Sequence, residues 1–151
     1  MGSQQILLLV LGVILVGVAV VVGIMMFGKS AYNSNAQALM AEVENYRARS
    51  LEYWKLPVSM GGASQDITRV ELIALASYLG FVDDPSAREG QSTYVIKTEN
   101  GEFRLDNVQD SAFTIIALGK EMKGTKHPKV TYTYDMLTDT VTSELSAAEG
   151  F

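Results

Sequence analysis

Ile6-Leu7-Leu8-Leu9-Val10-Leu11-Gly12-Val13-Ile14-Leu15-Val16-Gly17-Val18-Ala19-Val20-Val21-Val22-Gly23-Ile24-Met25-Met26-Phe27 is a run of 22 residues interrupted only by three glycines. About 20 apolar residues in a helix cross the hydrocarbon core of a bilayer. A helix that is apolar on every side must bury every side, in lipid or in protein. No charged residue lies before Lys29, so the 12 basic and 17 acidic side chains all fall between Lys29 and Glu149. The run also accounts for a mean hydropathy of +0.14. A cleaved secretory signal fits poorly, because such signals have a basic start and a shorter apolar stretch of roughly 7–15 residues. A plain membrane anchor explains the run by itself but leaves the next 28 residues, Gly28 to Lys55, without a purpose.

After Phe27 there is no proline until Pro57. Large or apolar side chains recur at Ala36, Leu39/Met40, Val43, Tyr46, Leu51 and Trp54, the stripe of an amphipathic helix. Glu42, Glu44, Arg47, Arg49 and Glu52 fall beside or opposite it. Gly28 and the Asn33-Ser34-Asn35 cluster are the places where this helix would break. In the apolar run glycine disfavours helix by only about 1 kcal/mol relative to alanine, so helix is expected through most of residues 6–27, with any break between Gly12 and Gly23. A continuous helix to Lys55 would be a rod on the order of 80 Å long. The chain thus divides into three segments: 1–28 as a hydrophobic transmembrane or core helix, 29–55 as its amphipathic continuation, and 56–151 as a globular head. A length of 151 residues allows one such head and no second full domain.

Leu56-Pro57-Val58-Ser59-Met60-Gly61-Gly62 ends the rod, since the residue before proline is steered out of the helical region. A short helix is expected over Arg69 to Leu79, opened by a Thr68-x-x-Glu71 capping box and closed by Gly80. The remainder reads as strands. Thr93–Lys97 and Glu102–Leu105 flank Asn100-Gly101, the signal of a type I′ hairpin, which sets Ile96 opposite Leu105 and Thr98 opposite Phe103. Phe113–Leu118 suits a central strand, and Val130–Tyr134 with Thr140–Leu145 makes a second hairpin around Met136 to Asp139. The expected fold class is α+β: a long N-terminal helix packed on a four- to five-stranded antiparallel sheet, with one short extra helix.

An uncharged start reading Gln4-Gln5-Ile6-Leu7-Leu8-Leu9-Val10-Leu11-Gly12-Val13-Ile14, a long helix and a C-terminal antiparallel head together resemble the type IV pilins. The resemblance implies a structural subunit that leaves a membrane pool to join an extracellular filament, a homopolymer built after a prepilin peptidase and an ATPase-driven assembly machinery have acted. It places Met1, Gln4, Gln5, Leu9, Gly12, Ile14, Gly17, Val21 and Gly23 in the filament core, the glycines admitting close helix approach. The chain departs from the family pattern in three ways. Pilins carry a carboxylate at the fifth mature residue, which is Gln5 if the mature chain starts at Met1. The basic leader is missing, unless Met1-Gly2 is its remnant, cut at Gly2 so that Ser3 comes first. The disulfide-closed loop of many pilins is ruled out by the absence of cysteine. In pilins the carboxylate is thought to pair with a neighbour's buried amine; the amide oxygens of Gln4 and Gln5 offer neutral acceptors in its place. Only Lys29 adjoins the span closely, and the positive-inside rule then favours a cytoplasmic head, a conflict that removal of a basic leader would resolve.

No enzymatic chemistry is expected. His127 is the single histidine and has no nucleophile motif with it. Asp83-Asp84 and Asp135…Asp139 lack the spacing of a calcium loop. Gly61-Gly62 lacks the lysine of a phosphate loop, and the rod aromatics Phe27, Tyr32, Tyr46, Tyr53 and Trp54 read as packing. No cofactor or metal is expected, and a net charge of −5 argues against a nucleic-acid footprint. The second reading, from another class, is a membrane-anchored pseudopilin or surface ligand-binding module that forms no long filament.

Overall fold

The computed structural model describes residues 2–84, 94–109 and 111–150. Met1, and Thr93 at the expected start of the first strand, lie outside them. The fold is α+β. Helix α1 runs without a break over Ser3–Lys55, 53 residues, about 80 Å at 1.5 Å per residue. Neither the glycines nor the Asn33-Ser34-Asn35 cluster interrupts it. Asparagine breaks helices by bonding to nearby backbone, but the Asn35 side chain is buried and bonded to distant residues instead.

The expected stripe faces the core: Ala36, Leu39, Val43 and Trp54 are buried, with Met40, Tyr46 and Leu51 half-buried against them. Asn35, Ser50 and Tyr53 join it. Beyond Pro57 the chain turns back on the helix end, where the last carbonyls of a helix have no internal partner. The amides of Ala63, Gln65 and Ser64 donate to the carbonyls of Tyr53, Trp54 and Leu56 at 3.0, 2.8 and 2.8 Å. Ser64 and Gln65 take left-handed φ values of 54° and 59° to do so.

Helix α2 is Leu72–Leu79, shorter than expected, and Gly80 closes it at φ 86°. The Thr68-Glu71 capping box does not form. Asp66 takes the acceptor role, bonding the Thr68 amide at 3.0 Å to start a separate 3-10 turn over Ile67–Arg69, and Glu71 precedes α2 with no side-chain cap bond.

Six strands form one antiparallel meander, each pairing with its sequence neighbours: β1 (Val82–Asp83), β2 (Tyr94–Lys97), β3 (Gly101–Gln109), β4 (Ala112–Gly119), β5 (His127–Asp135) and β6 (Thr140–Ala148). The strand count exceeds the expected four or five because the two-residue β1 adds an edge. β4 lies inside the sheet as expected, and the second hairpin turns over residues 136–139. The first hairpin differs in register by two residues: Ile96 opposes Phe103 and Tyr94 opposes Leu105. Its loop is Glu99-Asn100, and neither Asn100 nor Gly101 has positive φ, so no type I′ turn forms. The Thr98 hydroxyl stabilises this turn, accepting from the Asn100 and Gly101 amides at 3.2 and 3.3 Å.

The core lies between the sheet and the two helices. Phe103, Leu105, Phe113, Ile115, Val130, Tyr132 and Tyr134 point inward from alternate positions of β3, β4 and β5. The amphipathic half of α1 covers β4 and β5, and α2 packs beside it. β6 is exposed along almost all of its length.

Candidate functional site

Among the described residues the apolar half of α1 is exposed along its length. Leu9, Ile14 and Val21 are 67%, 57% and 52% exposed, and their large apolar neighbours from Ile6 to Phe27 are exposed as well. By length and composition this helix can cross a membrane. At its start Gly2 is the N-cap with extended backbone and no side-chain cap; its carbonyl accepts from the Gln5 amide at 2.9 Å. Gln4 and Gln5 occupy the first turn, both exposed. A Cβ added at Gly12, Gly17 or Gly23 would meet nothing within 4 Å, so nothing among the described residues requires glycine there.

Helical geometry sorts these glycines. Gly12 and Gly23 are three turns apart and share a face to within about 20°, with Ala19 between them, whereas Gly17 lies about 140° away. Gly12 and Leu39 are seven and a half turns apart, so the Gly12–Gly23 face is turned away from the sheet that Leu39 packs on.

The amphipathic half is fixed to the head by polar contacts near its start and around its middle. Near the apolar segment, Gly101 and Gly119 oppose each other on the inner sheet face. A Cβ at Gly101 would lie 2.2 Å from the Leu118 carbonyl and 3.0 Å from Leu39; one at Gly119 would lie 2.0 Å from Asn35 Oδ1. The missing side chains make a notch through which α1 passes. In it Asn35 Nδ2 donates to the Asn100 carbonyl at 2.8 Å, Asn35 Oδ1 accepts from the Glu121 amide at 3.3 Å, and Asn100 donates to Glu42. About two and a half turns beyond Asn35, the Tyr132 hydroxyl donates to Glu44 at 3.0 Å. Arg47 donates to Asp139 at 2.7 Å and lies 5.1 Å over the Tyr134 ring, whose hydroxyl donates to the same Asp139. Burial, then the bond to Glu44, pushes the Tyr132 phenol above its usual range. The Arg47 bond, then that of Tyr134, holds the Asp139 carboxyl below its usual range. These contacts tie a rigid rod to a rigid sheet.

Of the residues considered for catalysis or metal binding, Asp135 and Asp139 hold the second hairpin turn and the rod, and Asp83 lies exposed on the edge strand β1. His127 is half-buried at the start of β5. Asp135 accepts from the Ser111 hydroxyl at 2.6 Å and the Leu137 amide at 2.9 Å, holding the 136–139 turn. Among the described residues no three His, Cys, Asp or Glu side chains group as a metal site. Of the rod aromatics, Tyr53 and Trp54 are buried and Tyr46 packs on Phe81 and Phe103 at 5.3 and 5.5 Å, while Phe27 is exposed. Comparison with protein-family models, curated proteins and solved structures gives no match to the chain. Sequence reasoning missed the Asn35 mount, because an Asn-Ser-Asn cluster reads as a helix breaker until its distant partners are in place.

Proposed function

We propose that this chain is the structural subunit of an extracellular type IV pilus-like filament, polymerising through the apolar half of α1. One observation carries the reading: a single continuous helix whose first half is exposed and uncharged while its second half is clamped to a compact head. A simple anchor gains nothing from a rigid connection between span and head. A filament subunit needs one, because the position of the head then depends on the packing of the helices. Assembly moves Ile6–Phe27 from lipid into a bundle of the same segment from other copies. Lipid and protein are about equally apolar, so close packing must favour the bundle. The Gly12–Ala19–Gly23 face, turned away from the head, is where such packing brings backbones closest.

The second reading is a membrane-anchored pseudopilin or surface module. It shares with the first reading the match between the length of Ile6–Phe27, about 33 Å, and a hydrocarbon core of about 30 Å, and needs no contact between copies. Shearing of producing cells, with microscopy and mass spectrometry of the main band, separates the two: the filament reading expects abundant fibres of this chain. Ile14→Asp should abolish them, since an unpaired buried carboxylate is very costly. Normal fibre yield from that variant would sink the filament reading.

A further inference from the structure

The loop between β4 and β5, Lys120-Glu121-Met122-Lys123-Gly124-Thr125-Lys126, carries a lysine at every third position. It is held against α1. The Glu121 amide is bonded to Asn35, and further along Met122, Lys123 and Gly124 share a cleft with Met25, Gly28 and Lys29. Lys123 and Lys126 pair across a tight turn in which Gly124 takes φ 70°. Lys29 is the first charge after the apolar run. Lys123, with Lys126 paired to it, is therefore brought beside Lys29, about 90 residues earlier in the chain, at the level where the apolar half of α1 ends, while Lys120 stands at the other end of the loop, beside Asn35 and Ala38.

All four are exposed, and among the described residues none of them is in an ion pair. Lys120 donates to the Thr98 carbonyl at 2.7 Å, and Glu121 is the one acid of the loop. Met122 stands among them, 55% exposed. Gathered lysines around an apolar side chain, in a chain of net charge −5, are the composition of a segment at a membrane interface.

We propose that this lysine collar docks on the anionic lipid headgroups of the membrane that the apolar half of α1 enters, with Met122 at the edge of the hydrocarbon. The inference rests on the membrane pool of the proposed function and adds what holds the head at the surface. Because Ile6–Phe27 is close in length to the hydrocarbon core, Gly28 and Lys29 come at headgroup level, and the loop beside them comes to the same level. Each lysine near an anionic surface contributes roughly a fivefold preference, so Lys123 and Lys126 together shift docking by more than about one order of magnitude, with Lys120 adding less from further along the helix. The attraction falls off within a Debye length and is therefore salt-sensitive. Entry into a filament must break it.

The chain has no cysteine, so Thr125→Cys and, separately, Leu15→Cys each accept one fluorophore. The full-length labelled chains are reconstituted in phosphatidylcholine vesicles with and without phosphatidylglycerol. A headgroup quencher reads the Thr125 position and an acyl-chain quencher reads Leu15. The expected result is several-fold stronger quenching at Thr125 in anionic vesicles. It is reversed by salt and brought to the zwitterionic level by the combined Lys120→Gln, Lys123→Gln and Lys126→Gln changes, with Trp54 fluorescence unaltered as the check on folding. Quenching at Leu15 with no lipid preference at Thr125 overturns the collar while leaving the span intact. Absence of quenching at Leu15 refutes the span itself, and the collar with it. Binding of duplex DNA by the detergent-solubilised chain, lost with the same three lysines, would overturn the lipid assignment.

Discussion

Adding one methyl group at Gly119 tests how the head is mounted on the rod. The new Cβ would lie 2.0 Å from Asn35 Oδ1 and 2.6 Å from the Pro128 ring, so the Asn35 amide must leave. Two hydrogen bonds go with it, to the Asn100 carbonyl and from the Glu121 amide, each worth about 1 kcal/mol net. Overpacking of a closed site adds about 1–3 kcal/mol. Gly119→Ala should therefore cost about 3–5 kcal/mol, and Asn35→Ala about 2 kcal/mol for its two bonds alone. The double variant has room for the methyl where Asn35 stood and keeps only the Pro128 contact, so it should cost about 3 kcal/mol, well short of the sum of the single changes. The assay is urea unfolding of the detergent-solubilised chain, monitored by the fluorescence of Trp54, the single tryptophan, which is buried in the head. A Gly119→Ala chain within about 0.5 kcal/mol of the parent, or strictly additive losses in the double variant, would refute the notch.

Three further outcomes are expected. Tyr132→Phe removes the bond to Glu44, costing about 1 kcal/mol at neutral pH. The folded phenol titrates above the unfolded value of about 10. Its contribution is thus complete below pH 10 and declines as pH rises beyond that; urea midpoints across alkaline pH should fall less steeply in the Phe variant. Gly12→Leu with Gly23→Leu should leave the head's unfolding midpoint unchanged, since both sites are open in the subunit, yet lower the yield of sheared fibres if that face packs between copies. In a chain verified to begin at Met1, Gln4→Leu or Gln5→Leu alone should be tolerated, whereas the pair together should sharply reduce fibre yield, because an ammonium buried without acceptors costs several kcal/mol. Full yield from the pair would exclude a role for the two amides.

Much of the architecture could be read along the chain because it depends on local pattern. The apolar run, the helical stripe from Ala36 to Trp54, the stop at Pro57, the glycine closing α2 and the strand periodicity are each properties of a few consecutive residues. The errors came where two segments compete. Asn100-Gly101 carries the local signal of a type I′ turn, but Gly101 is needed opposite Gly119 beneath α1, and Thr98 organises the turn one residue earlier. Thr68 and Glu71 have capping-box spacing, but Asp66 takes the Thr68 amide first. β1 is only two residues long and exists through its pairing with β2.

The sequence by itself determined that an uncharged apolar segment heads the chain, with an amphipathic helix and an antiparallel sheet after it, because hydrophobic periodicity and charge distribution are local quantities. Only the tertiary structure decided how the rod is held and what surrounds the point where its apolar half ends. Asn35 lies 65 residues from Asn100 and 86 from Glu121, and Arg47 lies 92 from Asp139; hydrogen bonds over such separations form only after sheet and helix have packed. The same packing brings Lys123, and Lys126 paired to it, beside Lys29. A spacing of three residues places lysines on a loop, but only the fold puts that loop against the end of the apolar helix.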